Sequence, residues 1–575
     1  QNHFIKIKLV GGECNAYGLG ASIKVKVGKT TISQELMPSR GFQSSVGYGM
    51  TIGIGTADRV DTLSISWLNG THQVLTNISV DTTLVIDHTQ ARPIDIDPSK
   101  ASGLFAKITS IPGLNYRHTE NSFNDFNSEI LLPHKLSTQG PRLTIGDVNG
   151  DQLEDIFIGG PKGYAGRLYI QQSNGSFKVE TVFEEDKESE DIDALFFDAD
   201  NDSDLDLYVV SGGNEYAKNA IELQDRLYLN DGNGQFINNE SLPEILTSGS
   251  CVTANDMDGD GDQDLFVGGR LTPNGYPLSP RSYILENDGQ GHFSDVTSRV
   301  SQQLLNPGMV TDAIWSDFDA DGKKDLIIVG EWMPVSFFKN TGTELINLTD
   351  SVGIVDSEGW WNTIVAYDMD KDGDEDYMVG NLGINSQIKV SSEEPASLIY
   401  KDFDGDGVVD PVLSYFNGGA SFPALSKDDM IDGMRFLKER FGTYDEYARH
   451  TTEDIFSEEE MKGARKMVAK NMKTCYIENK SGKMSMRALP VMAQVAPVYG
   501  ILPGDFNKDG FMDMILAGNF YGSRVKFGRY DASKGVLLLG GSDGDFKYSS
   551  VKESGLNIKG EVRDIGVLSY QSQSL

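Results

Sequence analysis

Little in this sequence can carry redox or nucleophilic chemistry. Three cysteines, Cys14, Cys251 and Cys475, are too few and too scattered over 575 residues for a disulfide framework. The seven histidines (His3, His72, His88, His118, His134, His292 and His450) are dispersed, with no H-E-x-x-H and no pair at ligand spacing, so each reads as a surface or packing residue. No G-x-S-x-G elbow, Walker loop or dinucleotide-binding glycine fingerprint lies in a convincing strand-to-helix setting. No run of about 18 apolar residues exists, so no helix spans a membrane. Residues 1–20 lack the charged-then-apolar order of a signal peptide, so an export signal or lipid anchor is expected outside this sequence. Basic charge is scarce too: 50 Lys and Arg face 85 Asp and Glu, a formal charge of −35. That deficit argues against nucleic acid or an anionic membrane surface as partner and leaves divalent cations as the natural counter-charge.

What is present is a repeat. With 39% hydrophobic and 9% aromatic residues the chain can bury a sizeable core. Seven times an apolar stretch runs into an Asp-rich nine-residue loop and on into a second apolar stretch, as in TANDMDGDGDQDLFVGG. The loops begin at Asp147, Asp198, Asp256, Asp317, Asp368, Asp402 and Asp505, most at the spacing of a propeller blade. Flanks rich in Val, Ile, Leu, Phe and Tyr predict antiparallel hairpins, and pieces such as RLYLNDGNGQFIN supply a second hairpin per unit. The expectation is an all-β, seven-bladed propeller. An eight-unit closure stays open, because GEVRDIGVL near the C-terminus resembles one more inner strand without its loop.

Two segments break the period. Residues 1–91 have alternating stretches (IKIKLV, SIKVKV, TLSISWLNG) and a hairpin turn at Asn69-Gly70, predicting a separate β-sandwich-like domain before a propeller spanning 92–575. Residues 426–473 have helical spacing and a capping box at Ser457 and Glu460, predicting an α-helical insertion in the sixth unit.

Within each loop, acidic or amide side chains fall at positions 1, 3, 5 and 9, and Gly occupies position 6 in five of the seven. Alternate oxygens plus the position-7 carbonyl match the logic of calcium loops, in which Gly permits a sharp turn. The third loop offers Asp256, Asp258, Asp260 and Asp264 with the carbonyl of Asp262. The fourth offers Asp317, Asp319, Asp321 and Asp325 with Lys323; the fifth Asp368, Asp370, Asp372 and Asp376 with Asp374; the sixth Asp402, Asp404, Asp406 and Asp410 with Val408. The seventh has Asp505, Asn507, Asp509 and Asp513 with Phe511. The first, Asp147, Asn149, Asp151 and Asp155 with Leu153, has Gln152 where Gly is expected; the second, Asp198, Asp200, Asp202 and Asp206 with Asp204, has Ser203 there. Filling seven sites with divalent ions adds 14 positive charges and moves −35 to −21. Such loops in extracellular modules bind calcium weakly, at about 10⁻⁴ to 10⁻³ M, which suits a compartment rich in calcium.

The loops followed by IFIGG, LFVGG or MILAG resemble the FG-GAP/VCBS repeats of integrin α-subunit heads and secreted bacterial proteins. NAYGLGASIKVKVG, GFQSSVGYGMTIGIG and SWLNGTHQVL resemble the ASPIC/UnbV domain of cartilage acidic protein, with Trp67-Leu68-Asn69-Gly70 in place of the usual Trp-Pro-x-Gly. The resemblance implies an exported or outer-membrane-attached protein, of a kind found in gut Bacteroidetes, and a chain that is the C-terminal part of a longer one. Repeats of this kind specify fold rather than activity. The expected function is a calcium-stabilised surface or extracellular binding and adhesion module for a glycan or protein ligand. The alternatives are a propeller enzyme acting on polysaccharide, or a scaffold of an outer-membrane assembly that docks a partner subunit through residues 426–473. Trp332, Trp360, Trp361, Tyr415, Phe416, Phe520 and Tyr521 read as core, or as the lining of a ligand face.

Overall fold

The computed structural model describes residues 2–12, 14–93, 103–542, 544–570 and 573–574. It divides into two compact units, Gln1–Ser102 and Gly103–Leu575; the expected start of the second domain at residue 92 abuts residues 94–102, outside those described.

The N-terminal unit is made of strands with one buried face. In His3–Val10, Ile5, Ile7 and Leu9 are buried while Lys6 and Lys8 point the other way, the period-2 alternation of a half-buried strand. That strand lies between Gly49–Gly55 and Thr82–Asp87. A second sheet has the order Thr30–Glu35, Ser22–Val27, Arg59–Ser66, Thr71–Ser79, Arg92–Pro93. Ile23, Val25, Leu63 and Ile65 of this sheet share one core with Ile5, Ile7 and Ile52 of the other, the arrangement of a sandwich. The hairpin turn sits at Asn69-Gly70: Gly70 has φ +82 and its N–H donates to Trp67 O at 3.0 Å.

In the second unit every acidic loop joins two antiparallel strands in one register. The residue before position 1 always faces the Asp at position 9: Gly146 faces Asp155, Phe197 Asp206, Asn255 Asp264, Ser316 Asp325, Tyr367 Asp376, Lys401 Asp410 and Gly504 Asp513. Each hairpin belongs to a four-stranded sheet, one of which carries an added two-residue strand, Gly359–Trp360. Both faces of these sheets are covered. Leu265 and Val267 pack towards the preceding sheet with Tyr208 and Leu227, while Phe266 packs towards the following one with Leu326 and Ile328. Two buried faces explain why the second strands read as unbroken apolar runs.

The first strands of the first five sheets, Leu143–Gly146, Glu190–Phe197, Ser248–Asn255, Met309–Ser316 and Thr363–Tyr367, pack one against the next, and Thr363–Tyr367 packs on Val498–Gly504. The expectation of seven loop-bearing units in series changes at this point. The fifth sheet is Thr363–Tyr367, Asp376–Gly380, Cys475–Lys480 and Lys483–Ala488, and the sheet carrying the sixth loop is nested between its second and third strands. The nesting accounts for the short spacing before Asp402 and the long one before Asp505. After the last loop-bearing sheet, residues 561–567 lie between its first strand and that of the first sheet. Gly500 lies against Ile565, Gly566 lies against Leu143 and Ile145, and Leu143 N–H donates to Asp564 Oδ2 at 3.2 Å.

The nested sheet has the order Ala420–Pro423, Asp410–Asn417, Ala396–Lys401, Arg465–Ala469. Between its edge strands lie five short helices, Lys427–Gly433, Leu437–Arg440, Tyr444–Ala448, Thr452–Ile455 and Glu458–Met461. The capping box at Ser457 forms, with Ser457 N–H donating to Glu460 Oε2 at 2.7 Å, yet its helix lasts one turn. The following residues, whose spacing predicts helix, form the strand Arg465–Ala469, because Met467 and Val468 pair with Leu398 and Ser397. Tertiary pairing outweighs a propensity difference of under about 1 kcal/mol per residue.

Candidate functional site

The seven loops share one backbone. Positions 4 and 6 are left-handed in all of them: Gly150 and Gln152, Asn201 and Ser203, Gly259 and Gly261, Ala320 and Gly322, Lys371 and Gly373, Gly405 and Gly407, Lys508 and Gly510. Gln152 and Ser203 therefore make the turn that Gly makes elsewhere. In each loop the position-6 N–H donates to the position-1 carboxylate, as from Gly322 to Asp317 Oδ2 at 2.8 Å. The position-7 N–H donates to the position-5 side chain, as from Val408 to Asp406 Oδ1 at 2.8 Å. The position-9 Asp anchors the loop on the sheet: its Oδ2 accepts the position-2 N–H in all seven. In six its Oδ1 accepts an N–H from the third strand, Asn287 to Asp264 at 2.9 Å for example. Third-strand asparagines also tie neighbouring loops. Asn230, Asn287, Asn340 and Asn479 donate from Nδ2 to the position-2 carbonyls of the preceding loops, Val148, Ala199, Met257 and Phe318.

Carboxylates converge as a cation site requires. One oxygen each of Asp198, Asp200 and Asp206, of Asp256, Asp258 and Asp264, of Asp317, Asp319 and Asp325, of Asp368, Asp370 and Asp372, and of Asp402, Asp404 and Asp410 lie within 4.8 Å of one another. The first and seventh loops have an amide at position 3, Asn149 or Asn507, and so gather fewer acids. Buried oxygens at positions 1 and 3, Asp198 Oδ1, Asp200 Oδ1, Asp319 Oδ1 and Asp368 Oδ1, have no hydrogen-bond partner. Burial raises the position-9 carboxyls, Asp155 and Asp376 to about 6 and Asp206, Asp264, Asp325 and Asp410 to about 7. A bound cation would reverse that cost. In the fourth loop Lys339 Nζ already contacts Asp319 and lies 2.8 Å from Asp321 Oδ2.

A second feature lies at the other end of the first strands. The register skips one residue in four of them, Ile192, Ser250, Thr311 and Tyr499, and these bulges aim the four side chains into one cavity of about 70 Å³. Each bulged residue stands six positions before the first Asp of its loop, as does Asn362, also in the lining, so the cavity is about 20 Å from the loops at roughly 3.3 Å per residue. Among the described residues, Glu331 is the one carboxylate in the lining. Its Oε1 lies 2.9 Å from His134 Nε2 and accepts the Tyr276 hydroxyl at 2.8 Å, and its Oε2 pairs with Arg270 at 2.5 Å. Burial alone would raise Glu331, but His134 and Arg270 hold it far below the usual carboxylate range. Trp332, at φ +62, packs edge-on to Trp360 at 5.1 Å and donates to Tyr276 Oη at 2.8 Å. A cleft of about 510 Å³, lined by Tyr116, His118, Lys135 and Tyr521 among others, shares Arg142 and Arg563 with the cavity.

The sequence matches the family described as ASPIC and UnbV over residues 11–93. It matches the FG-GAP-like repeat over residues 147–209, 198–267, 256–328 and 317–379, each match running from one acidic loop through the hairpin of the next. The chain is an FG-GAP-repeat protein with an N-terminal ASPIC and UnbV domain. No curated protein matches it. Among solved structures, the Vibrio cholerae biofilm matrix protein Bap1 aligns at 10% identity and TM-score 0.28, over 79% of this chain and 93% of that one. The exotype rhamnogalacturonan lyase YesX aligns at 9% identity and TM-score 0.32, over 95% of this chain and 82% of that one. Likeness at that level carries no argument about this chain.

The FG-GAP-like repeats thus have two ends of different character. Of the aromatic residues singled out by sequence, Trp360 and Phe520 line the cavity, Tyr521 lines the cleft, and Trp361 is core, donating to Ser357 O at 2.8 Å. His134, expected as a surface or packing residue, belongs to the Glu331 network. Glu331, Arg142, Arg270 and Arg563 escaped sequence reading. The signal that reaches them is the position six residues before the loop, which marks the four bulges beside them.

Proposed function

We propose that residues 103–575 form a calcium-tied β-propeller with seven radial positions, used outside the cell as a binding module. The observation that carries this reading is the single backbone adopted by all seven loops, left-handed at positions 4 and 6 even where Gln152 and Ser203 replace Gly. In this reading the six sheets whose first strands pack in succession take six positions. The segment 561–567 takes the seventh, and the sheet of the sixth loop stands outside the ring. Positions 1, 3, 5 and 9 and the position-7 carbonyl would hold each ion, up to seven in all, which supplies structural charge neutralisation and ties each hairpin closed. Weak sites of this kind stay filled where calcium is abundant, which favours an exported or cell-surface location. The cleft and cavity at the end away from the loops are the ligand face, suited to a glycan or a protein ligand. Glycan- and peptide-array binding in millimolar calcium, followed by product analysis, tests the reading. Retention without turnover is expected; released product would make the chain an enzyme instead.

A further inference from the structure

The central cavity has an imbalance of one sign. Four buried donors without a partner sit on side chains that line it: Arg270 Nε and Nη1, Trp360 Nε1 and Arg563 Nη1. Arg270 and Trp360 are only 5% and 6% exposed. Among the described residues, no buried side-chain acceptor without a partner lines the same cavity. A buried donor left unpaired is a standing cost, so four on one small cavity call for an acceptor-rich occupant. The groups already there cannot serve. Glu331 has both oxygens engaged, and Arg142 is spent on Asp312 at 3.0 Å and Thr311 O at 3.2 Å. Arg270 is paired with Glu331 at 2.5 Å and Arg563 with Glu561 at 3.2 Å, yet each guanidinium keeps N–H groups to spare.

We propose that this cavity is a carboxylate-binding subsite. A carboxylate brings two oxygens with about four lone-pair sites and no hydrogen of its own, the complement of four unpartnered donors. The cavity of about 70 Å³ holds a few water-sized groups, so it takes the acid group while the body of the ligand lies in the adjoining cleft of about 510 Å³. Arg563 is held in place before any ligand arrives. Its guanidinium lies over Tyr499 at 4.5 Å and Phe520 at 5.3 Å, donates to Thr138 O at 3.0 Å and pairs with Glu561 at 3.2 Å, which fixes the fork and leaves Nη1 free. Bulges from four first strands build the surrounding wall, so the subsite belongs to the repeat architecture. The proposal rests on the reading of the chain as a binding module and not on its metal loops.

Calorimetric titration of the full chain in millimolar calcium tests it. The probes are acetate as the acid group alone, glucuronate and N-acetylglycine as acids on two kinds of body, and glucose as the uncharged control. The acids are expected to bind and glucose not. Tighter binding of glucuronate than of acetate would identify a sugar acid as the source of the carboxylate; tighter N-acetylglycine, an acylated amino acid. Trp360→Phe, which keeps a ring and removes the N–H, should weaken the acids about threefold to tenfold. Arg563→Gln should weaken them about tenfold to a hundredfold. Circular dichroism and melting of both variants confirm the fold. Acids that bind equally well to wild type and to both folded variants would overturn the proposal. If glucose binds and the acids do not, the carboxylate subsite falls and the binding module stands; if nothing binds, both lose their support.

Discussion

Positions 3 and 9 of a loop differ in what they do without metal, and the third loop separates them. Asp264, at position 9, is 1% exposed; its two oxygens accept Met257 N–H at 3.0 Å and Asn287 N–H at 2.9 Å. Asp264→Ala leaves both donors buried without an acceptor. At about 1–3 kcal/mol for each buried donor left unpaired, the loss is about 2–6 kcal/mol, and it should appear in chelator as well as in calcium. Asp258, at position 3, is exposed, and its one hydrogen bond within the loop is a long 3.3 Å contact from Asp260 N–H. Asp258→Ala should cost under about 0.5 kcal/mol in chelator. In calcium at tenfold to a hundredfold excess over the site's dissociation constant, it should forfeit the increment from that ion, about 1.4–2.7 kcal/mol. Urea unfolding of both variants, with and without calcium, reads the two numbers directly. Equal losses in chelator would refute the division of labour, and an Asp258→Ala loss independent of calcium would refute the role of position 3 as a ligand.

Glu331→Gln removes the carboxylate from a buried pair with Arg270 and should destabilise the chain by about 3–5 kcal/mol at neutral pH. Because the folded-state pKa of Glu331 is depressed, its contribution is complete above the ordinary carboxylate value and fades as pH falls towards the folded value. The difference between wild type and variant should therefore shrink below about pH 4.5 in pH-resolved melts. Lys339→Met frees Asp319 and Asp321 of a competing cation, and metal titration should show tighter binding at the fourth loop; unchanged titration would mean that the lysine swings away when the ion enters. Phe266→Ala, at a side chain with no exposed surface, should cost about 3–5 kcal/mol by denaturant unfolding. A cost below about 1 kcal/mol would contradict the packing of the third sheet against the fourth.

The hairpins and loops were legible because both report local rules. Alternating or unbroken apolar runs mark strands with one or two buried faces, and Asp at positions 1 and 9 sets the register of each turn. The backbone of the first two loops was less legible, since Gln152 and Ser203 lack the freedom of Gly and adopt left-handed φ only because the loop's hydrogen bonds hold them there. Order among the sheets was not readable at all. The nesting of the sixth-loop sheet within the fifth depends on the pairing of Asp376–Gly380 with Cys475–Lys480, a contact between residues 96 to 100 positions apart that no local pattern encodes. For the same reason Arg465–Ala469 is a strand despite its helical spacing. The cavity lay furthest from sequence reading. Its parts, His134, Arg270, Glu331, Trp360 and Arg563, come from five separate stretches and are joined only by tertiary packing.

The most direct test of calcium as the tie of the repeats is a thermal melt with counted metal, on protein as purified, after chelation, and after calcium or magnesium is restored. A midpoint that falls on chelation and recovers with calcium, together with several ions bound per chain, is the predicted result. No bound metal and an unchanged midpoint would reduce the seven loops to turns and remove the main support for a calcium-rich, extracellular setting.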